Sequence, residues 1–291
     1  MIRGFFTQFG GGSGDVWVDV LDSPSMRLLP GLVEDYGFRI RVHTCCHCPG
    51  VEDLFRYQPH VHEVITEPWR DPREVDPQRF IRPTSDGFYP MLPQYLNHFA
   101  GPIIRQEPFT YRYSLEEQGY LDHLLTSDGP VICLQMYAGL SDRDGCDPER
   151  LALLCQRLVD LDPACRVLVL GKNHERGHKY QEELCPFDHP RVLNLIDKLG
   201  LRVPLALVER CDAFGGCHSN LIRQAWRCRK RNVCVLPSPS MTDALPQIDA
   251  RYTYGFKYPE TKVFTYFFDN QGPRDFTVLD VEGIAQHLLG R

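Results

Sequence analysis

The sequence predicts an α/β protein made of two Rossmann-like domains. Short apolar segments alternate with longer amphipathic ones in both halves, the order expected of parallel strands covered by helices. Several apolar segments run directly into glycine-containing loops, as strands do where they turn into helices. Residues 126–130 (TSDGP) combine residue types that end regular structure. We therefore expect one domain over residues 1–129 and a second over 130–291, whose last helix is a candidate to pack back on the first domain.

Composition narrows the classes of function. A chain of 291 residues is long enough for two domains of ordinary size. The net charge of −6 argues against a protein that coats nucleic acid, because phosphate binding needs a dominant basic surface. No run approaches the ~20 apolar residues that span a bilayer, and residues 1–6 lack the apolar core of a secretion signal. We therefore expect a cytoplasmic protein with no membrane span, in which most of the 12 cysteines are buried thiols.

The first half contains three predicted strands and one clear helix. Residues 2–9 are aromatic and apolar enough for a buried strand, and residues 38–43 alternate polar and apolar side chains. Residues 60–65 predict a third strand. Residues 115–125 predict a helix, and a further helical stretch is expected at 92–99.

The second half shows the alternation most clearly. Pro148 suits the first turn of a helix, and Leu151, Leu154, Cys155 and Leu158 then follow on one helical face. The predicted strands are residues 131–137, 166–170, 191–196, 212–216 and 232–236, and further helices are expected to open at Pro204 and after Ser219.

The helix after Ser219 is predicted to have a basic end. Ser219 is a good N-cap residue. Arg227, Arg229, Lys230 and Arg231 follow at the expected C-terminus, where cations suit the negative end of the helix dipole.

The glycine-rich loop after the first predicted strand is the first candidate site. Ligands of open parallel sheets bind outside the carboxyl ends of strands, and glycines let the backbone approach a ligand closely. Gly12, Ser13 and Gly14 form the centre of this loop, and Asp15 follows them. Asp15 either acts as a general base toward a hydroxyl or caps the helix that follows, and the residues alone leave both open.

Two loops of the second half are further candidates. Gly216, His218, Ser219 and Asn220 lie between a predicted strand and a helix, where backbone amides and a hydroxyl can hold a diphosphate. Plain helix capping by Ser219 is the alternative. Lys172 follows another strand end and can neutralise a phosphate, although a solvated charged loop explains it equally well.

The segment Cys45-Cys46-His47-Cys48 raises the question of zinc. Structural zinc sites usually combine two pairs of ligands at suitable spacing. The sequence offers no convincing second pair, so we expect no metal site and leave the role of this segment open.

Several segments, taken in order, carry a resemblance to a known family. Gly14-Asp15 follows the first strand, and residues 59–65 read PHVHEVI. Residues 192–225 run from an Asn-Leu pair through Asp-Ala-Phe-Gly-Gly to a helix, and residues 237–240 read PSPS. In this order the segments cover most of the chain and resemble the heptosyltransferases of glycosyltransferase family 9, which have a Gly-Asp loop, a Pro-x-Val-Asp-Glu-Val-Ile phrase and a Gly-Pro-Thr turn at these places.

The resemblance implies the GT-B fold, with an acceptor-binding first domain facing a nucleotide-sugar-binding second domain across a cleft. It implies an inverting glycosyltransferase that moves a sugar from a nucleotide-activated donor to a hydroxyl of a glycan or lipid-linked acceptor. Asp15 takes the position of the family's catalytic base, with Gly12, Ser13 and Gly14 on the acceptor side. No cofactor or metal is implied, since the nucleotide sugar is a co-substrate. The donor-binding residues implied by the resemblance are Lys172, Gly216, His218, Ser219 and Asn220.

The donor loop departs from the family pattern. His218-Ser219-Asn220 replaces the family's Asp-Thr-Gly, and Arg223 stands where the family has a histidine. A donor other than ADP-heptose is therefore expected.

Two other functions remain open at the level of sequence. Glycosylation of modified bases in DNA is favoured by the basic residues of 227–231 and the aromatic residues of 252–258, and is opposed by the net acidity. The second is a nucleotide-sugar-binding protein without catalysis.

Overall fold

The chain, seen in a computed structural model, divides into two compact units, Met1–Gln118 and Gly119–Arg291. The structure describes residues 2–9, 29–34, 37, 39–46, 51–56, 58–66, 80–81, 113–135, 148–171, 174–175, 178–179, 185, 187–217, 219–237, 260–266 and 279–291.

The first unit contains a four-stranded sheet. Its elements are strand β1 (Ile2–Phe9), helix α1 (Leu29–Glu34), strand β2 (Arg39–Cys46), a 3-10 helix (Val51–Leu54), strand β3 (Val61–Thr66) and strand β4 (Phe80–Ile81).

The four strands are parallel and lie in the order β3-β2-β1-β4. Strand β1 pairs along its whole length with β2, from Ile2 opposite Arg39 to Phe9 opposite Cys46. The chain therefore passes from β1 to β2 on one side of the sheet and reaches β4 on the other side of β1. Leu54, the last residue of the 3-10 helix, is buried, and so is Phe55, which follows it.

The second unit holds most of the described residues. Its elements are helix α2 (Leu115–Leu125), which crosses the boundary between the units, strand β5 (Val131–Gln135), helix α3 (Pro148–Leu161), strand β6 (Arg166–Val169), the short strands β7 (His174–Glu175) and β8 (His178–Lys179), strand β9 (Val192–Asn194), helix α4 (Arg202–Arg210), strand β10 (Ala213–Cys217), helix α5 (Asn220–Arg227), strand β11 (Arg231–Pro237), strand β12 (Thr261–Tyr266) and helix α6 (Val281–Leu289).

The second sheet has the strand order β12-β11-β10-β5-β6-β9, and every pair in it is parallel. When the six strands are numbered along the chain from β5 and read across the sheet from β9 to β12, this is the order 3-2-1-4-5-6 of the Rossmann fold. Strand β5 consists of four fully or almost fully buried apolar residues followed by half-buried Gln135. Such continuous apolar runs are typical of parallel strands covered on both faces.

Helices α3 and α6 cover one face of this sheet. Their apolar residues form one cluster with alternate residues of the strands, among them Ile132, Leu134 and Val233. Side chains alternate between the faces of a strand, so buried Cys133 and Phe214 belong to the opposite face. Helices α4 and α5, which contact each other, supply no residue to the first cluster and cover that second face.

The last helix belongs to the core of the second unit. Ile284, Ala285 and Leu288 are fully buried in the cluster with α3. Arg157 of α3 donates to the carboxylate of Glu282 at the start of α6, with one N···O distance of 3.0 Å. The helix that the sequence offered as a candidate to pack on the first domain thus completes the second.

Local sequence signals account for several helix starts. Ser114 and Glu117 form a capping box, in which each backbone N–H donates to the other residue's side chain at 2.8 and 3.1 Å. The four residues predicted to line one face of α3 are all buried, which confirms that pattern: Leu151, Leu154, Cys155 and Leu158.

Some predicted boundaries were wrong. Helix α4 begins at Arg202, two residues before the predicted start at Pro204, because a proline in the first helical turn removes only an N–H that has no intrahelical partner. Strand β2 continues to Cys46 instead of ending at residue 43, so two residues of the cysteine-rich segment lie in the sheet. The helix expected at residues 92–99 lies outside the described residues.

Candidate functional site

The strand order of the second unit points to one place where a ligand can bind. From β5 the chain moves to β6 and β9 on one side, whereas β10 and β11 lie on the other side. Connections that leave in opposite directions open a crevice outside the carboxyl ends of the two strands at the switch, and ligands of open α/β sheets bind there. The switch lies between β5, which ends at Gln135, and β10, which ends at Cys217.

Three of the predicted donor-site residues lie at this switch. Gly216 is the next-to-last residue of strand β10 and pairs with Gln135 of β5. Ser219 is the N-cap of helix α5, and Asn220 is its first residue. The structure therefore brings together Gly216, Ser219 and Asn220, as expected from their spacing.

Ser219 connects the two strands of the switch. Its hydroxyl lies 2.5 Å from Oε1 of Gln135. The same hydroxyl accepts a hydrogen bond from the Ile222 backbone N–H at 3.5 Å, which makes Ser219 the predicted cap of α5. One side chain thus fixes the start of the helix to the end of β5.

Gly216 has a packing role that sequence reasoning did not anticipate. A Cβ atom at this position would lie 2.7 and 2.8 Å from two ring atoms of Phe214 and 2.9 Å from the Gln135 carbonyl oxygen. Phe214 is fully buried and shares a face of β10 with Gly216. The glycine is therefore required by the aromatic ring beside it, whatever ligand approaches the loop.

Helix α5 presents its N-terminus to the switch. Five of its eight residues are buried, so the helix is held firmly against the unit: Leu221, Ile222, Gln224, Ala225 and Trp226. Backbone N–H groups of a first helical turn lack intrahelical partners and carry the positive end of the helix dipole. A fixed helix start at this place favours an anionic group in the crevice.

The remaining predicted site residues fall outside the described part of the chain. They are Gly12, Ser13, Gly14, Asp15, Lys172 and His218. The structure describes the residues that lead into two of these segments. Strand β1 ends at Phe9, next to the switch between β1 and β4 of the first sheet. Gly171, which precedes Lys172, has a φ of 147° and its carbonyl accepts from the Asp197 N–H at 3.0 Å.

The basic run coincides only in part with the end of α5: Arg227 is in the last turn of the helix, as predicted, whereas Arg231 lies in the next strand. Helix α5 ends at Arg227, and the backbone of Arg229 has a positive φ of 54°, which turns the chain toward the next strand. Arg231 is the first residue of β11, and its Nε donates to the Leu288 carbonyl at the end of α6 at 3.1 Å. A cation at that position suits the negative end of α6 instead.

Three thiols of the second unit, Cys133, Cys165 and the partly buried Cys228, have raised pKa values. Burial raises the pKa of the Cys165 thiol to about 12 and that of Cys228 to about 11. Burial, with the neighbouring Cys211, raises the pKa of Cys133 well above its ordinary value. Thiols of this kind stay protonated at neutral pH, and so they are poor nucleophiles and poor metal ligands.

The described residues lack two further features. No group of three or more histidine, cysteine or acidic residues among them is arranged to hold a metal ion. Within the same residues, no helix combines the length and the apolar character needed to cross a bilayer.

The residue that sequence reasoning missed is Gln135. It is the only polar residue of β5, and it stands where that strand ends. A polar residue that closes an apolar strand is the signal that was present in the sequence. Its partner Ser219 lies 84 positions away, and only the order of the strands brings the two together.

No protein-family model and no curated protein matches the chain. Solved structures do match. A family 9 glycosyl transferase from Veillonella parvula DSM 2008 superposes with a TM-score of 0.59 at 12% identity, over 99% of this chain and 97% of that one. The ADP-heptose lps heptosyltransferase II of E. coli gives 0.56 at 14% identity, over 98% and 97%. E. coli heptosyltransferase WaaC, solved with ADP, gives 0.51 at 14% identity, over 90% and 93%. At these identities the likeness concerns the fold, and it confirms the predicted fold class: the chain has the α/β fold of the GT-B heptosyltransferases.

Proposed function

We propose that this protein is a glycosyltransferase that uses a nucleotide-activated sugar and binds the nucleotide diphosphate at the switch between β5 and β10. The observation that carries the proposal is the Rossmann strand order of the second unit, with the start of α5 fixed at the switch by Ser219. Phosphate groups bind at such helix starts in Rossmann domains. The likeness to heptosyltransferase structures over almost the whole chain supports the same assignment.

The acceptor is assigned to the first unit. Gly12, Ser13, Gly14 and Asp15 follow β1, whose carboxyl end adjoins the switch between β1 and β4. The sequence resemblance gives Asp15 the role of general base. We assign it the proton of the acceptor hydroxyl, which belongs to a glycan or a lipid-linked sugar.

The proposed reaction is a single inverting displacement. Asp15 takes the proton of the acceptor hydroxyl, and the oxygen attacks the anomeric carbon of the donor sugar. The bond from that carbon to the diphosphate oxygen breaks, and the nucleoside diphosphate leaves with the electron pair. The configuration at the anomeric carbon inverts because attack and departure occur on opposite faces.

The charge of the leaving group is met by neutral groups and by one cation. Backbone N–H groups at the start of α5, which Ser219 holds in place, and the side chains of His218 and Asn220 are assigned to the diphosphate, with Lys172 as the cation. We propose that no divalent metal takes part, so that chelation with EDTA leaves the transfer rate unchanged.

The described thiols are consistent with work in a reducing compartment such as the cytoplasm. Seven of the eight cysteines whose side chains the structure describes are buried. The structural matches give no support to the DNA-modification alternative, and Arg231 of the basic run is engaged within the fold.

The first experiment is a thermal-shift panel of ADP, UDP, GDP and their sugar derivatives. A ligand at 100 times its dissociation constant should stabilise the protein by about 2.7 kcal/mol. Hydrolysis or transfer assays with the best donor then compare wild type with Asp15→Asn, which keeps the size of the side chain and removes its basicity. We expect Asp15→Asn to bind the donor normally and to transfer at least about a hundredfold more slowly. A panel without any response would overturn the proposal, whereas a fully active Asp15→Asn would overturn only the assignment of the base.

A further inference from the structure

Gln135 is held in one defined orientation at the end of β5. The 2.5 Å distance between Ser219 Oγ and Gln135 Oε1 fits an O–H···O hydrogen bond and is too short for an N–H···O one. Ser219 Oγ already accepts the Ile222 N–H, so its own proton is the group available to donate. Ser219 therefore donates to the side-chain carbonyl of Gln135.

This bond has a consequence for both partners. The hydroxyl proton of Ser219 is committed to the protein and is not available to a ligand. The carbonyl of Gln135 is occupied, so its amide nitrogen is directed away from Ser219. Within the part of the chain that the structure describes, Nε2 of Gln135 donates to no acceptor. Gln135 is half-buried and stands at the carboxyl end of β5, at the switch.

The backbone around Gln135 is also fixed. Its carbonyl oxygen accepts from the Cys217 thiol at 3.5 Å, and its Cα pairs with Gly216 across the switch. Gly216 has no room to move toward it, because the Phe214 ring and the Gln135 carbonyl fill the space where a Cβ would lie. The amide is thus carried by a rigid part of the sheet, not by a loop.

We propose that Gln135 is a specificity-determining residue of the switch-point site, which selects a ligand group that only accepts hydrogen bonds, such as a phosphate oxygen. The inference rests on the proposed function and names the group that Gln135 contacts: a diphosphate oxygen of the donor. With its oxygen turned toward Ser219, the amide presents its two N–H donors on the side away from Ser219. Such a site binds an anionic oxygen more tightly than a ligand group that presents an N–H or O–H there. Ser219 is a positioning residue that acts through Gln135.

Gln135→Glu tests the proposal directly. The carboxylate keeps an acceptor for the Ser219 hydroxyl but removes the N–H donors and places a negative charge toward the diphosphate. We expect the affinity for ADP or UDP, measured by titration calorimetry, to fall about tenfold to a hundredfold, because hydrogen bonds to charged groups are of that strength. The unfolding midpoint without ligand should stay close to that of wild type.

Three further proteins complete the experiment. Gln135→Ala removes the donors without adding charge and should also weaken binding, which keeps the test valid if the glutamate variant folds poorly. Ser219→Ala releases the amide and removes the cap of α5, so it should lower both affinity and unfolding midpoint. Gln156→Glu makes the same chemical change at a partly exposed position of α3 and should bind the nucleotide as wild type does.

The outcomes separate this inference from the function on which it rests. A wild-type protein that binds neither ADP nor UDP overturns both. A wild type that binds, together with Gln135→Glu and Gln135→Ala variants that are folded and bind equally well, overturns the role of Gln135 and leaves the proposed function standing. Loss of affinity in the Gln135 variants with normal binding by Gln156→Glu supports the proposal.

Discussion

Replacement of Gly216 by alanine tests the packing of the switch point without reference to any ligand. The added Cβ would lie 2.7 and 2.8 Å from ring atoms of Phe214 and 2.9 Å from the Gln135 carbonyl oxygen, and all three distances are shorter than van der Waals contact allows. Phe214 is fully buried and cannot swing out. Extra methyl groups in such surroundings cost about 1–3 kcal/mol. At about 2 kcal/mol, the unfolding midpoint of a domain of this size falls by roughly 4–8 °C.

Urea unfolding of the wild type and Gly216→Ala measures the loss, and Gly119→Ala is the matched control. Gly119 is an exposed residue inside helix α2, and a Cβ there would meet nothing within 4 Å. The control should therefore stabilise the protein by about 0.5–1 kcal/mol through helix propensity. In a Phe214→Leu background, which lacks the two ring atoms, Gly216→Ala should cost less than in wild type. If Gly216→Ala unfolds within about 0.5 kcal/mol of wild type, the packing argument is wrong.

Three other perturbations probe the second unit. Asn232→Leu leaves the buried Trp226 indole N–H without its acceptor at 3.2 Å and should cost about 1–3 kcal/mol in urea unfolding, part of which Trp226→Phe should recover. The hydrogen bond from Arg157 lowers the pKa of Glu282 in the folded protein. The stabilisation that this bond gives is therefore complete above the pKa of Glu282 in the unfolded chain and is lost as the pH falls through the pKa in the folded protein. Glu282→Gln should flatten the fall in melting temperature on acidification. Burial lowers the pKa of His287 in the folded protein, so on acidification the unfolded chain binds a proton at this histidine first, and stability falls below about pH 6.5. A His287→Gln protein that loses the same stability as wild type between pH 7 and 5 contradicts this.

The parts of the fold that follow from local sequence were predicted well. Helix α3 was visible because its apolar residues recur with helical spacing, and α5 because Ser219 can cap it. Strand β12 was not predicted, and the last helix was expected only without bounds, as a candidate to pack on the first domain. The six residues of β12 give a weak apolar signal because Thr and Lys stand among Val, Phe and Tyr. Helix α6 packs against α3, which is distant in sequence, so the sequence did not show its place.

The basic run shows why charge alone did not locate a terminus. In the sequence, Arg227 to Arg231 forms one cationic cluster. In the fold, a left-handed residue at Arg229 divides it between the end of α5 and the start of β11. The backbone turn that separates these cations has no strong sequence signal, because Arg229 is not one of the residue types that favour a positive φ.

Local sequence also leaves part of the candidate site unseen, because one of its contacts joins residues that are distant in the chain. This contact changes how the departure from the family pattern is understood. From sequence, the loss of Asp-Thr-Gly at residues 218–220 suggested a donor loop that had kept its place and lost its chemistry. In the fold, Ser219 of that loop is bonded to a residue outside it, Gln135, at the end of a different strand. The chemistry of the loop therefore cannot be judged from its own three residues. The Ser219 hydroxyl and the Gln135 amide that it fixes form one neutral hydrogen-bonded unit, whose amide N–H groups are the donors left for a ligand. We expect substitutions at Ser219 and Gln135 to be non-additive in nucleotide affinity, since each acts through the other, and an additive double-mutant cycle would show that they work separately.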